Sequence, residues 1–199
     1  DGVVSDVRRI ADIVHGYGLP LIVDEAHGAH FGLHGSCPRS AATCGADVVI
    51  QSVHKTLPAF TQSAVLHVCT DRIAEDAVER FLDIYESSSP SYLLMAGVSR
   101  LIPFLQENGA RLFTALDDNL SWFYEKSRQL RCLHVIQETD FDRECAYTRD
   151  RSKILISTGD CNMDGRQLYD MLLSRYHLQM EMCSGEYVTA LCSLMDSRE

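Results

Sequence analysis

Two short apolar runs, each followed by charged residues, constrain the fold of this chain more than any other feature. The first run, Leu19–Val23, leads into Asp24-Glu25-Ala26-His27, and the second, Asp47–Gln51, leads into Ser52-Val53-His54-Lys55. Short apolar runs of this kind are typical of strands buried on both faces of a sheet. We therefore expect two neighbouring strands that bring a carboxylate and an amine to one end of a sheet.

The segments around these runs predict an alternation of helices and strands. Ser5 is a candidate cap for a helix with apolar residues at positions 7, 10, 11 and 14, and Gly18 supplies a stop. A short helical stretch at 39–44 and a third strand at 64–68 complete the pattern. Such alternation indicates a mostly parallel α/β sheet, in which ligands bind beyond the carboxyl ends of the strands. Asp24 and Lys55 both lie at that position.

The second half of the sequence predicts a different arrangement. An amphipathic helix at 71–85 is followed by a long helical region at 92–130, which Pro103 and Gly109 should kink or interrupt. Beyond residue 131 the pattern favours a small α+β domain. Its expected elements are a charged exposed loop at 138–150, a strand at 153–157, a helix at 166–176 and strands at 179–182 and 187–194.

Composition excludes some classes of function. The formal net charge is −10, which argues against a nucleic-acid binder because such proteins carry basic surfaces. The sequence shows no signal-peptide pattern and no apolar run near about 18 residues, so we expect a soluble, cytoplasmic protein without membrane contact. Its eight cysteines form no Cys-x-x-Cys pair, which favours reduced thiols over a disulfide framework.

The pairing of Asp24 with Lys55 suits an aldehyde cofactor that contains a pyridine ring. The lysine can form an imine, and the carboxylate can keep the ring nitrogen protonated. The plainer alternative is a strand-end acid that caps the next turn and a solvated surface lysine. Asp-Glu-Ala-His also matches the acid box of helicase-type ATPases, but the phosphate loop which that reading requires is absent from this sequence.

Three histidines in the glycine-rich loop after the first run raise the question of a metal site. His27, His30 and His34 have a spacing that fixes no common face in such a loop, and no cysteine or carboxylate pattern completes a tetrahedral set. We therefore expect no metal.

Together the two motifs resemble the Orn/Lys/Arg decarboxylase family, which consists of pyridoxal 5'-phosphate (PLP) enzymes of fold type I. The resemblance is carried by Val23–Gly32, Gln51–Gln62, Ser88–Ala96 and Glu181–Val188, and it extends from Val3 to Met195. It implies an α/β fold that is part of the fold type I large domain. By this resemblance, residues 1–100 are the C-terminal part of the PLP-binding large domain, 101–130 a connecting helical region and 131–199 a small C-terminal α+β domain.

The family resemblance also implies which residues hold the cofactor ring. Lys55 would form the imine with PLP, and Asp24 would pair with the pyridinium nitrogen. Ala26 would pack flat on one ring face, where a larger side chain would displace the ring. With His54, Lys55 and Asp24 make up the expected catalytic set.

The cofactor phosphate has a second group of expected ligands. By the same resemblance, Ser52 and His54 approach the phosphate, for which a hydroxyl and an imidazole are suitable donors. His27 would lie close to the cofactor without a defined role. Ser88 or Ser89 would contact the phosphate of the cofactor bound in a partner subunit, because active sites of this family lie at a dimer interface. A homodimer or higher homo-oligomer is therefore expected.

The implied reaction is decarboxylation of arginine, lysine or ornithine to the corresponding amine, a step of polyamine biosynthesis. Two alternatives stay open: another fold type I enzyme, either an aminotransferase or an acyl-CoA–amino acid condensing enzyme, and a non-catalytic truncated remnant. Upstream of Asp24 the sequence lacks the phosphate loop and the ring-stacking residue of fold type I enzymes. We therefore expect a fragment that lacks the N-terminal part of the family, has an unpaired sheet edge, and is a poor enzyme or none by itself.

Overall fold

The computed structural model describes residues 2–142 and 147–197 of the 199-residue chain. These residues fall into two compact units, one formed by residues 6–111 and the other by residues 1–5 together with 112–199. The helices in chain order are α1 Val7–Gly16, α2 Val53–Thr56, α3 Glu75–Tyr85, α4 Tyr92–Ser127 and α5 Gly165–Tyr176. The strands are β1 Val3–Val4, β2 Ile22–Asp24, β3 Val48–Gln51, β4 Val65–Val68, β5 His134–Val135, β6 Thr148–Arg149, β7 Lys153–Ser157, β8 Met182–Ser184 and β9 Tyr187–Leu191.

Helix α1 begins one residue later than its sequence suggested. The cap is Asp6, whose carboxylate accepts a hydrogen bond of 3.1 Å from the backbone N–H of Arg9. The expectation of a Ser5 cap is therefore wrong, although a short oxygen-bearing side chain performs the capping in either case. After the helix, Gly18 has a φ of 71°, a conformation that favours glycine.

The unit formed by residues 6–111 contains a three-stranded sheet in the order β2-β3-β4. Strands β2 and β3 are parallel, with Asp24 opposite Ile50, whereas β4 is antiparallel to β3. Val49 of β3 is fully buried and packs with Ala41 and Ala46 in the core of this unit. The central strand β3 therefore packs the sheet against the core of this unit.

Strand β2 is not buried on both faces, and that expectation is wrong. Ile22 is 60% exposed, and Asp24 is exposed as well. The physical reason is position, because β2 is an edge strand of the sheet that the described residues form. A run of apolar residues identifies a strand, but its neighbours decide how much of it is covered.

A buried carboxylate joins the chain segments at the amino end of the sheet. Asp47 is fully buried and accepts hydrogen bonds from the Leu21 N–H at 2.7 Å, from His15 Nε2 at 2.8 Å and from the Thr70 hydroxyl. Burial by itself raises the pKa of Asp47, but these hydrogen bonds outweigh it and the net pKa is lowered. We call these four residues the Asp47 latch.

Helix α4 runs without interruption from Tyr92 to Ser127, with Pro103 inside it. We expected Pro103 and Gly109 to kink or interrupt the helical region, and the structure shows no interruption at either residue. A proline removes a single hydrogen bond, and a helix of 36 residues retains the rest. Helix α3 begins at Glu75, four residues after its predicted start.

The second unit contains a four-stranded antiparallel sheet in the order β5-β7-β9-β8. Strand β7 has the bounds that the sequence predicts, and α5 begins one residue early, behind the cap Asp164. The strand expected at 179–182 lies at Met182–Ser184 instead, because Gly185, at a φ of 54°, forms the turn into β9. Part of the expected loop at 138–150 is β6, and residues 143–146 lie outside the described residues.

Two further observations concern the described residues as a whole. No helix within 2–142 and 147–197 is long and apolar enough to cross a membrane. Seven cysteines in these ranges are free thiols, and Cys145 lies outside them.

Candidate active site

The parallel pairing of β2 with β3 brings the two sequence motifs together. Asp24 is the last residue of β2 and lies opposite Ile50. Lys55 lies in the short helix α2 that follows β3, and its Nζ is 3.2 Å from Nε2 of His27, three residues after Asp24. The carboxyl ends of two neighbouring strands therefore deliver a carboxylate, an amine and an imidazole to one edge.

Asp24 is exposed and partly engaged. Its Oδ1 accepts a hydrogen bond of 2.9 Å from the N–H of Ala26, which closes a turn of the type that aspartate favours. Within the described ranges the carboxylate has no other hydrogen-bond partner. One oxygen thus shapes the backbone, and the other can accept a hydrogen bond from a ligand. These contacts fit both interpretations of Asp24: an acid that only caps the following turn, and an acid that also binds a ligand.

His54 is oriented by the main chain. Its Nδ1 lies 2.9 Å from the carbonyl oxygen of Ser63, so Nδ1 carries the proton and donates it. The Nε2 atom is then left for another contact. Ser52 is the N-cap of α2, but its side chain makes no capping hydrogen bond. The hydroxyl of Ser52 and the imidazole of His54 are therefore polar groups of α2 that remain for a ligand.

Ser88 and Ser89 lie in the exposed turn between α3 and α4. The local hydrogen bonds of this turn run between Ser87 and Ser89, at 3.3 Å in each direction. Within the described residues, no hydrogen bond joins Ser88 or Ser89 to Asp24, His27 or Lys55. Ala26, by contrast, is half-buried and lies two residues after Asp24.

Glu25 is the residue that sequence reasoning missed. It is only 8% exposed and accepts hydrogen bonds from Ser40 Oγ at 2.9 Å, from the Ala41 N–H at 2.7 Å and from Gln51 Nε2 at 2.6 Å. A signal was present in the sequence, because adjacent strand residues point to opposite faces. If the Asp24 side chain faces a ligand, the side chain of Glu25 points to the opposite face, into the protein. Its carboxylate then needs hydrogen-bond donors there.

No metal cluster lies near this edge. In the part of the chain that the structure describes, no group of three or more His, Cys, Asp and Glu side chains is arranged to hold a metal ion.

Solved structures with a similar fold define the class of protein. The structure of the constitutive lysine decarboxylase of E. coli superposes with a TM-score of 0.75 at 19% identity, covering 100% of this chain and 33% of that one. Alanine–glyoxylate aminotransferase from Nostoc sp. gives 0.67 at 15% identity, covering 96% of this chain and 53% of that one. The chain thus has the α/β fold of the PLP enzymes of fold type I.

The family follows from sequence comparison. The model of the Orn/Lys/Arg decarboxylase major domain matches residues 1–121, and the chain belongs to that family. The arginine decarboxylase of Bacillus subtilis (strain 168) is 28% identical over 181 residues, which are 91% of this chain and 37% of that protein. The chain spans less than half the length of the arginine decarboxylases that it matches. The expected family and fold class are confirmed, while the roles of individual site residues stay predictions.

The residues at this edge fit PLP by their chemistry. A lysine amine can hold an aldehyde, and a carboxylate oxygen without a protein partner can bind a protonated ring nitrogen. A hydroxyl and a protonated imidazole nitrogen can bind a phosphate, and within the described ranges the Ser52 hydroxyl and His54 Nε2 have no partner. The structure brings Asp24, His27 and Lys55 to one edge, with Ser52 and His54 on the helix that carries Lys55.

Proposed function

We propose that this chain is the cofactor-carrying part of a PLP-dependent decarboxylase that converts arginine, lysine or ornithine to the corresponding amine. One observation carries the proposal. Lys55 Nζ lies 3.2 Å from His27 Nε2 at the sheet edge where β2 ends in Asp24. Membership of the Orn/Lys/Arg decarboxylase family supports the reaction type.

In this proposal three residues hold the cofactor ring. Lys55 would bind the aldehyde carbon, Asp24 would bind the ring nitrogen, and Ala26 would lie against one face of the ring. Its single methyl group lets a flat ring approach the backbone closely. One carboxylate oxygen of Asp24 accepts a hydrogen bond from the Ala26 N–H, so the turn that positions Ala26 also orients the Asp24 carboxylate.

The remaining site residues bind the phosphate or line the site. Ser52 would donate its hydroxyl to the phosphate. His54 would donate from Nε2 when its ring carries a proton on both nitrogens, since Nδ1 already donates to the Ser63 carbonyl and so fixes the ring in place. Ser88 and Ser89 reach the cofactor phosphate of a partner subunit in a homodimer or larger homo-oligomer. His27 stays beside the Lys55 amine.

The chemistry divides between the cofactor and the chain. Bound PLP supplies an electron sink for the charge left at Cα when CO₂ departs. Asp24 keeps the proton on the ring nitrogen, because a carboxylate there stabilises a positive charge. Lys55 would hold the cofactor through its aldehyde carbon, and the amine product requires a proton at Cα in place of the departing CO₂.

The same proposal assigns the parts of the chain. Residues 1–100 belong to the PLP-binding large domain, 101–130 connect, and 131–199 form the small α+β domain. We place the protein in the cytoplasm, where the amine product serves polyamine biosynthesis. The fold of the second unit, a helix with an antiparallel sheet, supports the assignment of the last segment.

A second candidate is transamination, which the fold similarity to alanine–glyoxylate aminotransferase favours. The test is to incubate the protein with PLP and each basic amino acid and to measure CO₂, amine and keto acid. Release of CO₂ and amine supports the proposal, whereas keto acid without CO₂ supports transamination. A chain that holds no cofactor and forms no product would be the non-catalytic remnant. Lys55→Arg is the control and should give no product.

A further inference from the structure

Glu25 lies next to Asp24 but faces the opposite way. Asp24 is exposed, whereas Glu25 is only 8% exposed. The backbone N–H of Glu25 donates a hydrogen bond of 2.8 Å to the carbonyl of Ile50, which continues the contact between β2 and β3 past the end of β2. Glu25 is therefore part of the joint between the two strand ends.

The carboxylate of Glu25 is held by three neutral donors. Oε1 accepts from the Ala41 N–H, and Oε2 accepts from Ser40 Oγ and from Gln51 Nε2. No cation pairs with Glu25 within the described residues, so the cost of burying its charge is offset by these hydrogen bonds alone. His67 Nε2 lies 3.0 Å from Gln51 Oε1 and thereby orients the amide so that its nitrogen faces Glu25.

These contacts connect the two halves of the candidate site. Glu25 stands between Asp24 and Ala26 in the sequence, and Gln51 directly precedes Ser52, where the helix of Lys55 begins. The hydrogen bond of 2.6 Å between Glu25 and Gln51 is therefore a direct side-chain link between the two motifs.

The loop after β2 packs closely on the same side chain. A Cβ at Gly28 would lie 2.8 Å from Glu25 Cγ and 2.7 Å from the ring of Phe31, closer than side chains normally approach. Gly28 therefore lies close to the Glu25 side chain, whose carboxylate is held by three hydrogen bonds.

We propose that Glu25 is a positioning residue, whose ionised carboxylate fixes the strand end of Asp24 relative to the segment that carries Lys55. This inference rests on the proposed function, because it concerns the placement of the cofactor-binding residues. Glu25 itself makes no contact with the reacting atoms. An amide at position 25 would place its NH2 group either against the Ala41 N–H or against the Ser40 and Gln51 donors. At least one hydrogen bond would be lost in either orientation.

The test compares Glu25→Gln with the exchanged pair Glu25→Gln/Gln51→Glu. In the exchanged pair an amide donates to a carboxylate across the same gap, so the link is restored with its polarity reversed. Each variant is incubated with PLP, reduced with borohydride and mapped for the labelled lysine. The chain contains only Lys55, Lys126 and Lys153, so label at exposed Lys126 serves as an internal reference.

We expect Glu25→Gln to lower the ratio of Lys55 label to Lys126 label at least about tenfold, the factor for one lost charge-assisted hydrogen bond. The exchanged pair should recover most of that loss. Leu101→Ala is the control for a merely destabilised fold, since Leu101 is a buried residue of α4 in the same unit and its side chain cannot form a hydrogen bond with the Glu25 carboxylate. All variants are compared at a temperature where circular dichroism shows them folded.

The outcomes separate this inference from the proposed function. If the unmodified chain shows no preference for Lys55, the proposed function fails. The inference is then judged by hydrogen exchange of the Glu25 amide, which should be at least about tenfold faster in Glu25→Gln than in Leu101→Ala. Unchanged labelling in Glu25→Gln, no recovery in the exchanged pair, or an equal loss in Leu101→Ala would overturn the inference.

Discussion

Both ends of the sheet formed by β2, β3 and β4 contain a buried carboxylate, and the two carboxylates have different surroundings. At the amino end, Asp47 collects hydrogen bonds from the segments before β2 and after β4. At the carboxyl end, Glu25 collects them from residues next to the candidate site. Each acid accepts three hydrogen bonds, but only Glu25 has site residues as its neighbours in the sequence.

Because of this difference, we expect residues at one end of the sheet to stabilise the fold and residues at the other end to carry out the chemistry. The Asp47 latch holds together segments that carry no proposed site residue, so its loss should lower stability and leave cofactor binding by the folded protein unchanged. Lys55 at the opposite end is half-buried, and within the described residues its side chain makes one hydrogen bond, to His27. Loss of this side chain should therefore remove chemistry and leave the fold unchanged. Substitutions at the two ends test this separation.

The largest expected effect is that of Lys55→Arg. Arginine keeps the positive charge but cannot form the bond to an aldehyde, so borohydride reduction should trap no PLP at position 55. In protein that has activity, the rate of CO₂ release should fall at least about 1,000-fold. Urea unfolding should change by no more than about 0.5 kcal/mol. Lys126→Arg, at an exposed position of α4, is the matched control, and equal trapping in both variants would contradict the role of Lys55.

Next in size is Asp47→Asn. The amide leaves at least one of the donors from Leu21, His15 and Thr70 without an acceptor, so the free energy of unfolding should fall by about 2–3 kcal/mol. Urea titration followed by circular dichroism measures this change. Asp83→Asn, at an exposed acid of α3, should stay within about 0.5 kcal/mol. Loss of PLP trapping at Lys55 in folded Asp47→Asn would break the separation of the two ends.

Lowering the pH should reduce the stability that the Asp47 latch contributes. The pKa of Asp47 in the folded protein is lowered from the ordinary value of 3.8, because the hydrogen bonds outweigh the effect of burial. A carboxyl with a lowered folded-state pKa contributes stability above its unfolded pKa and loses it as the pH falls through the folded one. The difference in urea midpoint between the unmodified chain and Asp47→Asn should therefore be constant at pH 5–6 and shrink as the pH falls below about 3.8. A difference that does not shrink would contradict the ionised latch.

The smallest expected effect is that of Arg72→Ala. Arg72 Nε lies 3.8 Å from Asp47 Oδ1, and the arginine side chain is 48% exposed. Such a pair is screened by solvent and contributes no more than about 0.5 kcal/mol. The loss should become smaller still with added salt, because mobile ions screen a half-exposed pair. If Arg72→Ala lowered the free energy of unfolding about as much as Asp47→Asn does, the charge of Arg72, and not the short hydrogen bonds, would be what stabilises the latch.

Part of this architecture could be predicted from the sequence because it depends on local pattern. The strand Lys153–Ser157 and the helix ending at Tyr176 follow from their own apolar spacing, and both were found. The placement of Asp24 and Lys55 at the carboxyl ends of two neighbouring strands follows from a general rule for parallel strands. The partner of Lys55, His27, also falls within the predicted motif.

Other features depend on neighbours that the local sequence does not specify. The exposure of Ile22 reflects the place of β2 at the sheet edge, and nothing in Val65–Val68 encodes its antiparallel direction. The burial of Glu25 requires donors from Ser40 and Gln51, which are 15 and 26 residues away. Local propensity fails at these positions because tertiary contacts decide the outcome.

The separation in sequence of the residues in the Asp47 latch has a consequence for the rate of folding. Asp47 is 23, 26 and 32 residues from Thr70, Leu21 and His15 respectively. The chain entropy of closing these loops is lost before any of the three hydrogen bonds is gained. We therefore expect this end of the sheet to assemble late, long after the short-range hydrogen bonds of α1 have formed.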